Sequence, residues 1–234
     1  MWMNERCRLT KSFGAKVVER VVGVIYPVKC LFCRRVIAGR EKIVCEKCGE
    51  TGGAVEVGQS VTGLTEICAA CRYDGDARFV VHRLKFEGKR MLARPMAAWI
   101  LSNIGNIQGE MMIPVPLHVK RKRERGFNQG ELLARELAEL TGVAAFDGLQ
   151  RVKETRQQYE LSREARLENI AGAFALRDGF NVAGKDVVLV DDVLTTGATA
   201  AECAAVLLAG GARYVKLVVF AAGDSRPNDF QSLL

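Results

Sequence analysis

The chain has 234 residues, 34 Lys and Arg against 27 Asp and Glu, and a formal net charge of +7. A composition that is 49% hydrophobic and 26% charged excludes a disordered or fibrous chain, and the length suits one ordinary domain plus a smaller module. The longest uncharged stretch, residues 95–109, contains Ser, Asn and Gln and falls short of the about 20 apolar residues that a membrane span needs. The first residues also lack the profile of a signal peptide, so a cytoplasmic protein is expected. The basic balance favours phosphate-bearing ligands without naming one.

Taken in chain order, Phe13, Val17, Val18, Val21, Val22, Val24 and Ile25 recur at mostly helical spacing. This predicts an amphipathic helix within residues 1–26, ended by Pro27. Residues 27–72 then hold three Cys-x-x-Cys pairs, Cys30/Cys33, Cys45/Cys48 and Cys68/Cys71. They show no helix-length apolar pattern, so this module needs a staple. In a reducing compartment such pairs point to metal rather than disulfides. Cys30, Cys33, Cys45 and Cys48 form two knuckles at a spacing common for a Cys₄ zinc ribbon, and four thiolates suit a structural Zn²⁺. Cys68 and Cys71 have no partner pair. Either a second site is lost, or they replace one of the first two pairs. Cys203 falls on a predicted apolar helix and reads as core. His82 and His118 have no ligand-like spacing.

Residues 73–223 alternate between strands and helices. Strands are expected at 77–82, 111–115, 174–176, 186–190 and 215–220, and helices at 89–103, 129–140 and 198–209. Repeated strand-then-helix order implies an α/β domain with a mostly parallel sheet flanked by helices, and ligands at the carboxyl ends of its strands. Residues 224–234 read as a loosely held tail.

The apolar strand Val187-Val188-Leu189-Val190 runs into Asp191-Asp192, then Thr195-Thr196-Gly197-Ala198-Thr199, then an apolar helix. Small residues at a helix start expose backbone N–H groups, and the helix dipole adds positive charge there. The threonines add hydroxyls and Gly197 permits close approach. The turn has no lysine and is not a Walker A loop. Carboxylates repel phosphate, so Asp191 and Asp192 must serve another part of the ligand. Adjacent hydroxyls a few ångströms from a monophosphate describe ribose 5-phosphate. The string resembles the phosphoribosyl pyrophosphate (PRPP) signature of the type I phosphoribosyltransferases. That resemblance implies that Asp191 and Asp192 address the ribose hydroxyls, directly or through Mg²⁺, and that residues 195–199 hold the 5-phosphate.

Upstream, Pro114-Val115-Pro116 precedes a basic loop with five cations in the six residues 120–125. A pyrophosphate would use such charge together with Mg²⁺, and Arg121, Arg123 and Arg125 are the best candidates. The blander alternative is a solvated loop or a nucleic-acid patch. The pattern Arg-x-Arg-x-Arg-Gly-Phe-Asn-Gln over 121–129 resembles the competence protein F (ComF) family of phosphoribosyltransferase-like proteins. Leu84-Lys85-Phe86-Glu87-Gly88-Lys89, Arg163, Arg166, Asn169 and Ala173-Phe174 carry the same resemblance. It implies a type I phosphoribosyltransferase-like fold with an N-terminal zinc ribbon, a mobile flap over residues 151–172, and a link to DNA uptake. Many relatives carry a double ribbon, from which this chain departs.

Two functions follow from these readings. One is Mg²⁺-dependent transfer of a phosphoribosyl group from PRPP to an unknown acceptor. The other is a non-catalytic component of transformation that senses a nucleotide or binds single-stranded DNA. In that case cations near 85–90 and 120–125 would track phosphates, and Phe86 or Phe127 would stack on a base.

Overall fold

The computed structural model describes residues 27–38, 42–51, 53–58, 60–153 and 170–223. The helix expected within 1–26, the middle of the 151–172 flap and the 224–234 tail lie outside the described residues. Two compact units divide between Gly49 and Glu50.

The first unit is knitted by backbone hydrogen bonds around its cysteines. Cys30 N–H donates to the Arg35 carbonyl (2.8 Å) and Arg34 N–H donates to the Cys30 carbonyl (3.0 Å). Arg34 makes the reversal at φ 63°, and Lys29 bridges Val36 in antiparallel fashion. Leu31 N–H donates to the Ile43 carbonyl (3.0 Å), bringing the second pair of cysteines alongside the first. Helix α1 (Glu46–Thr51) carries Cys48. Among the described residues of this unit, Leu31 and Phe32 are buried beside Cys30 and Cys48.

The second unit is a parallel sheet with helices on both faces. Its strands are β1 (Glu66–Arg72), β2 (Met111–Pro114), β5 (Asp186–Leu194) and β6 (Tyr214–Ala222), in the order β1-β6-β5-β2. β3 (Leu149–Arg151) and β4 (Phe174–Leu176) form a separate antiparallel pair. The helices are α2 (Gly75–Phe86), α3 (Ala93–Ile104, after a 3₁₀ turn at Arg90–Leu92), α4 (Val119–Arg125), α5 (Gln129–Thr141) and α6 (Ala198–Ala209). The central strands read as continuous apolar runs because both of their faces are covered. Val187, Leu189, Val215, Leu217 and Val219 share one buried cluster with Cys203, Ala204 and Leu207 of α6. Alternation sends Val188, Val190, Val218 and Phe220 to the other face, where α3 and α5 lie.

Both rims of the sheet carry a cover. Val55 bridges Ala69 of β1, with Val55 N–H donating to the Ala69 carbonyl (3.0 Å). Ala145 bridges Met112 of β2. Pro114 is tolerated because it ends an edge strand.

Four expectations change. The strand expected at 77–82 is the middle of α2. Phe79, Val80 and Val81 have strand propensity, but the buried residues Ala77, Val80, Val81 and Leu84 follow helical spacing, and that pattern prevails. Residues 66–72, read as part of the cysteine module, form β1 and pair with β6 from Glu66↔Lys216 to Arg72↔Ala222. The strand expected to stop at Val190 continues to Leu194, in register with β6 up to Ala222. The basic loop is helix α4. His118 begins it, its Nδ1 accepting from Lys120 N–H at 3.3 Å, and Gly126 ends it at φ 77°.

Candidate functional site

A cavity of about 300 Å³ opens at the carboxyl ends of β1, β2 and β5, where a parallel sheet places its ligands. Asp191, Asp192 and the whole 195–199 turn line it, together with Arg121. Tyr73, Lys85, Gln129 and Arg151 line it as well.

Because β5 runs through both aspartates, their side chains leave on opposite faces. Asp192 is 2% exposed. Its Oδ2 lies 2.5 Å from the Lys85 ammonium, and its Oδ1 accepts from Gln129 Nε2 at 3.2 Å. Burial opposes its charge, but Lys85 and these hydrogen bonds hold the Asp192 carboxyl below the usual carboxylate range. Asp191 goes the other way. Burial, then the charge of Asp192, push its carboxyl well above that range. The nearest compensation is local, Asp191 Oδ1 accepting from the Asp192 N–H at 2.8 Å.

The turn over residues 195–199 leads directly into helix α6. Gly197 stands immediately before α6 with φ 77°, the left-handed region in which a side chain is strained. A Cβ at this position would also lie 2.6 Å from Val61 Cγ2. Gly197 is therefore demanded twice, by backbone and by packing. It has no side chain to cap the helix, and the first turn of α6 carries no acid. The first turn of this 12-residue helix borders the cavity, with Ala198 N–H reaching Thr196 Oγ1 at 3.5 Å, and a helix start is where the dipole attracts an anion.

Helix α4 separates the three arginines. Positions 121 and 125 share a face, and 123 points elsewhere. Arg121 lines the cavity, whereas Arg123 is exposed and lines none of it. Arg125 donates to Gln129 Oε1, and its guanidinium lies 5.5 Å from the centre of the Phe86 ring. Sequence reasoning passed over Lys85, Gln129 and Arg151 as site residues. Lys85 and Gln129 sit in the family-like stretches 84–89 and 121–129. Arg151 is the last residue of β3, its guanidinium 5.3 Å from the Phe174 ring of β4. Burial first, then the Arg121 charge, lower its pKa. Of the two candidate stacking residues, Phe86 is 69% exposed, but Phe127 is buried beneath Arg90.

In the first unit, the sulfurs of Cys30, Cys33, Cys45 and Cys48 all lie within 4.8 Å of one another. Four close thiols are a donor set that can hold a structural metal such as zinc. The Cys48 backbone N–H is the main cause of the Cys45 thiol falling to about 7, which favours the thiolate a metal needs. Cys68 and Cys71 are engaged separately, Cys68 Sγ with Glu66 (3.1 Å) and Cys71 Sγ with the Phe220 carbonyl (3.2 Å). Among the described residues they belong to no metal-capable group. Cys203 is buried core, as expected.

The fold and the turn define a phosphoribosyltransferase-like domain, and residues 124–230 match the family described as "Phosphoribosyl transferase domain". The DNA utilization protein YhgH of Salmonella typhi is 33% identical over 202 residues, covering 80% of this chain and 87% of that protein. Competence protein F of Haemophilus influenzae is 32% identical over 137 residues, or 55% of this chain and 60% of that one. Competence protein ComFC of Streptococcus pneumoniae is 31% identical over 134 residues, covering 57% and 58%. The chain belongs to the competence protein F family of phosphoribosyltransferase-like proteins.

Proposed function

We propose that the chain binds PRPP at the β5–α6 turn and transfers its phosphoribosyl group to an acceptor, as a cytoplasmic component linked to DNA uptake. The observation that carries this reading is one cavity lined by a helix start, two adjacent aspartates, Arg121 and Arg151. In this reading the 5-phosphate takes the amides of residues 197–199 and the threonine hydroxyls. Asp191 accepts hydrogen bonds from the ribose diol. Arg121 and Arg151 neutralise the pyrophosphate as it leaves. Bond breaking at C1 leaves positive charge on the sugar, and the negative charge of the Asp191–Asp192 pair would favour that state. Zn²⁺ on Cys30, Cys33, Cys45 and Cys48 would be structural, since four thiolates leave no open position.

Mg²⁺ is the ion that the family resemblance implies. Carboxylate oxygens suit it, but the Lys85 ammonium already lies 2.5 Å from Asp192. Lys85 therefore already takes the side of Asp192 that a protein-bound dication would need.

Binding is tested by thermal melting. PRPP at about 100 times its Kd should stabilise the chain by about 2.7 kcal/mol, a rise of several degrees. Pyrophosphate release across a panel of bases and amines then tests turnover. One observation favours the single-stranded DNA reading, the exposed Phe86 ring with Arg125 over it. If single-stranded DNA raises the melting temperature and loses affinity steeply with salt while PRPP does nothing, transfer is the wrong reading.

A further inference from the structure

The buried ion pair has a consequence for the ribose end of the ligand. Lys85 comes from the last turn of α2 and reaches into the cavity, with its side chain 21% exposed. Its ammonium contacts Asp192, and its charge is felt at Asp191 too. Arg125 lies close enough for both aspartates to act on it. Gln129 fixes the geometry, since its amide accepts from Arg125 and donates to Asp192. Asp192 thus already has one cation of the chain in contact, Lys85, and a second, Arg125, one hydrogen-bonded side chain away. A dication entering there would meet both of them.

We propose that Lys85 is a built-in cation serving the Asp191–Asp192 pair in place of a divalent ion, so that a ribose 5-phosphate group is held without added metal. Asp192 acts as the positioning residue that anchors Lys85. Asp191 remains the carboxylate for the sugar hydroxyls. Any metal required for the complete ligand then follows its pyrophosphate, not its ribose. This inference rests on the reading of the β5–α6 turn as a ribose 5-phosphate site.

The test is calorimetric titration of the full chain with ribose 5-phosphate, which lacks the pyrophosphate. It is run in buffer dialysed free of loose divalent ions, then with added Mg²⁺. The affinity should agree within about twofold between the two conditions. In Lys85→Met it should fall about tenfold without Mg²⁺ and recover when Mg²⁺ is added, because the carboxylate pair then lacks its cation. Lys85→Arg should behave as the parent. Should Lys85→Met fail to fold, the parent and Lys85→Arg still decide the matter. A parent affinity that rises more than about fivefold with Mg²⁺ overturns the proposal. Failure of ribose 5-phosphate to bind under either condition instead defeats the ligand assignment beneath it.

Discussion

At the residue scale, two adjacent aspartates of identical sequence context acquire opposite properties. Asp192 is anchored by Lys85 and Gln129, while burial and the Asp192 charge make ionising Asp191 unfavourable. A carboxyl whose folded pKa is raised supports the fold at pH below its unfolded value. That support is lost as pH rises through the folded pKa. Asp191→Asn should therefore melt above the parent at pH 7–8, with the gap narrowing toward pH 5, even as it loses PRPP-induced stabilisation. A variant that melts lower at neutral pH would show that the Asp191 charge is not the strained one. Gly197→Ala should cost about 2 kcal/mol or more in denaturant unfolding and abolish binding, since both Val61 and the turn must shift.

At the scale of the element, periodicity decided which expectations held. The helix at 129–140 was legible because its apolar residues keep one period, and the one at 198–209 because a helix-length, alanine-rich apolar stretch follows Gly197. α2 was not, because Phe79-Val80-Val81 has strand propensity and only the buried set at 77, 80, 81 and 84 discloses the helix. The basic run was legible as a charge cluster but not as α4, for it has no apolar face to read. Its helical form sets apart arginines that look equivalent in the sequence. Arg121→Ala should weaken PRPP binding about tenfold, whereas Arg123→Ala should stay within about twofold by calorimetry. Equal losses would place the pyrophosphate along the whole run.

For the molecule as a whole, the two units rest on different forces. The larger one buries a two-faced sheet, and the described residues of the smaller one gather around four cysteines. Its expected metal content is one zinc per chain. Removal of zinc by a strong chelator should unfold that unit, with little change in the melting of residues 50–234. Cys48→Ser should abolish the zinc and Cys68→Ser should leave it unchanged, as read by elemental analysis. The first two cysteine pairs were legible from spacing alone. Spacing left the third pair open, and its cysteines lie on β1, where Cys68 engages Glu66 and Cys71 the Phe220 carbonyl. Lys85 and Gln129 were visible as family-like residues, but their role was not, since it depends on three elements meeting around Asp192.

The bridges at the sheet rims also bear on how the protein keeps to itself. Bare outer strands invite foreign backbone to add on and begin fibrous clumping. A single amide at Val55 closes the Ala69 carbonyl on one side. Val55→Pro would withdraw that amide and leave an open seam, so light scattering on warming should register clumping in this variant sooner than in the parent.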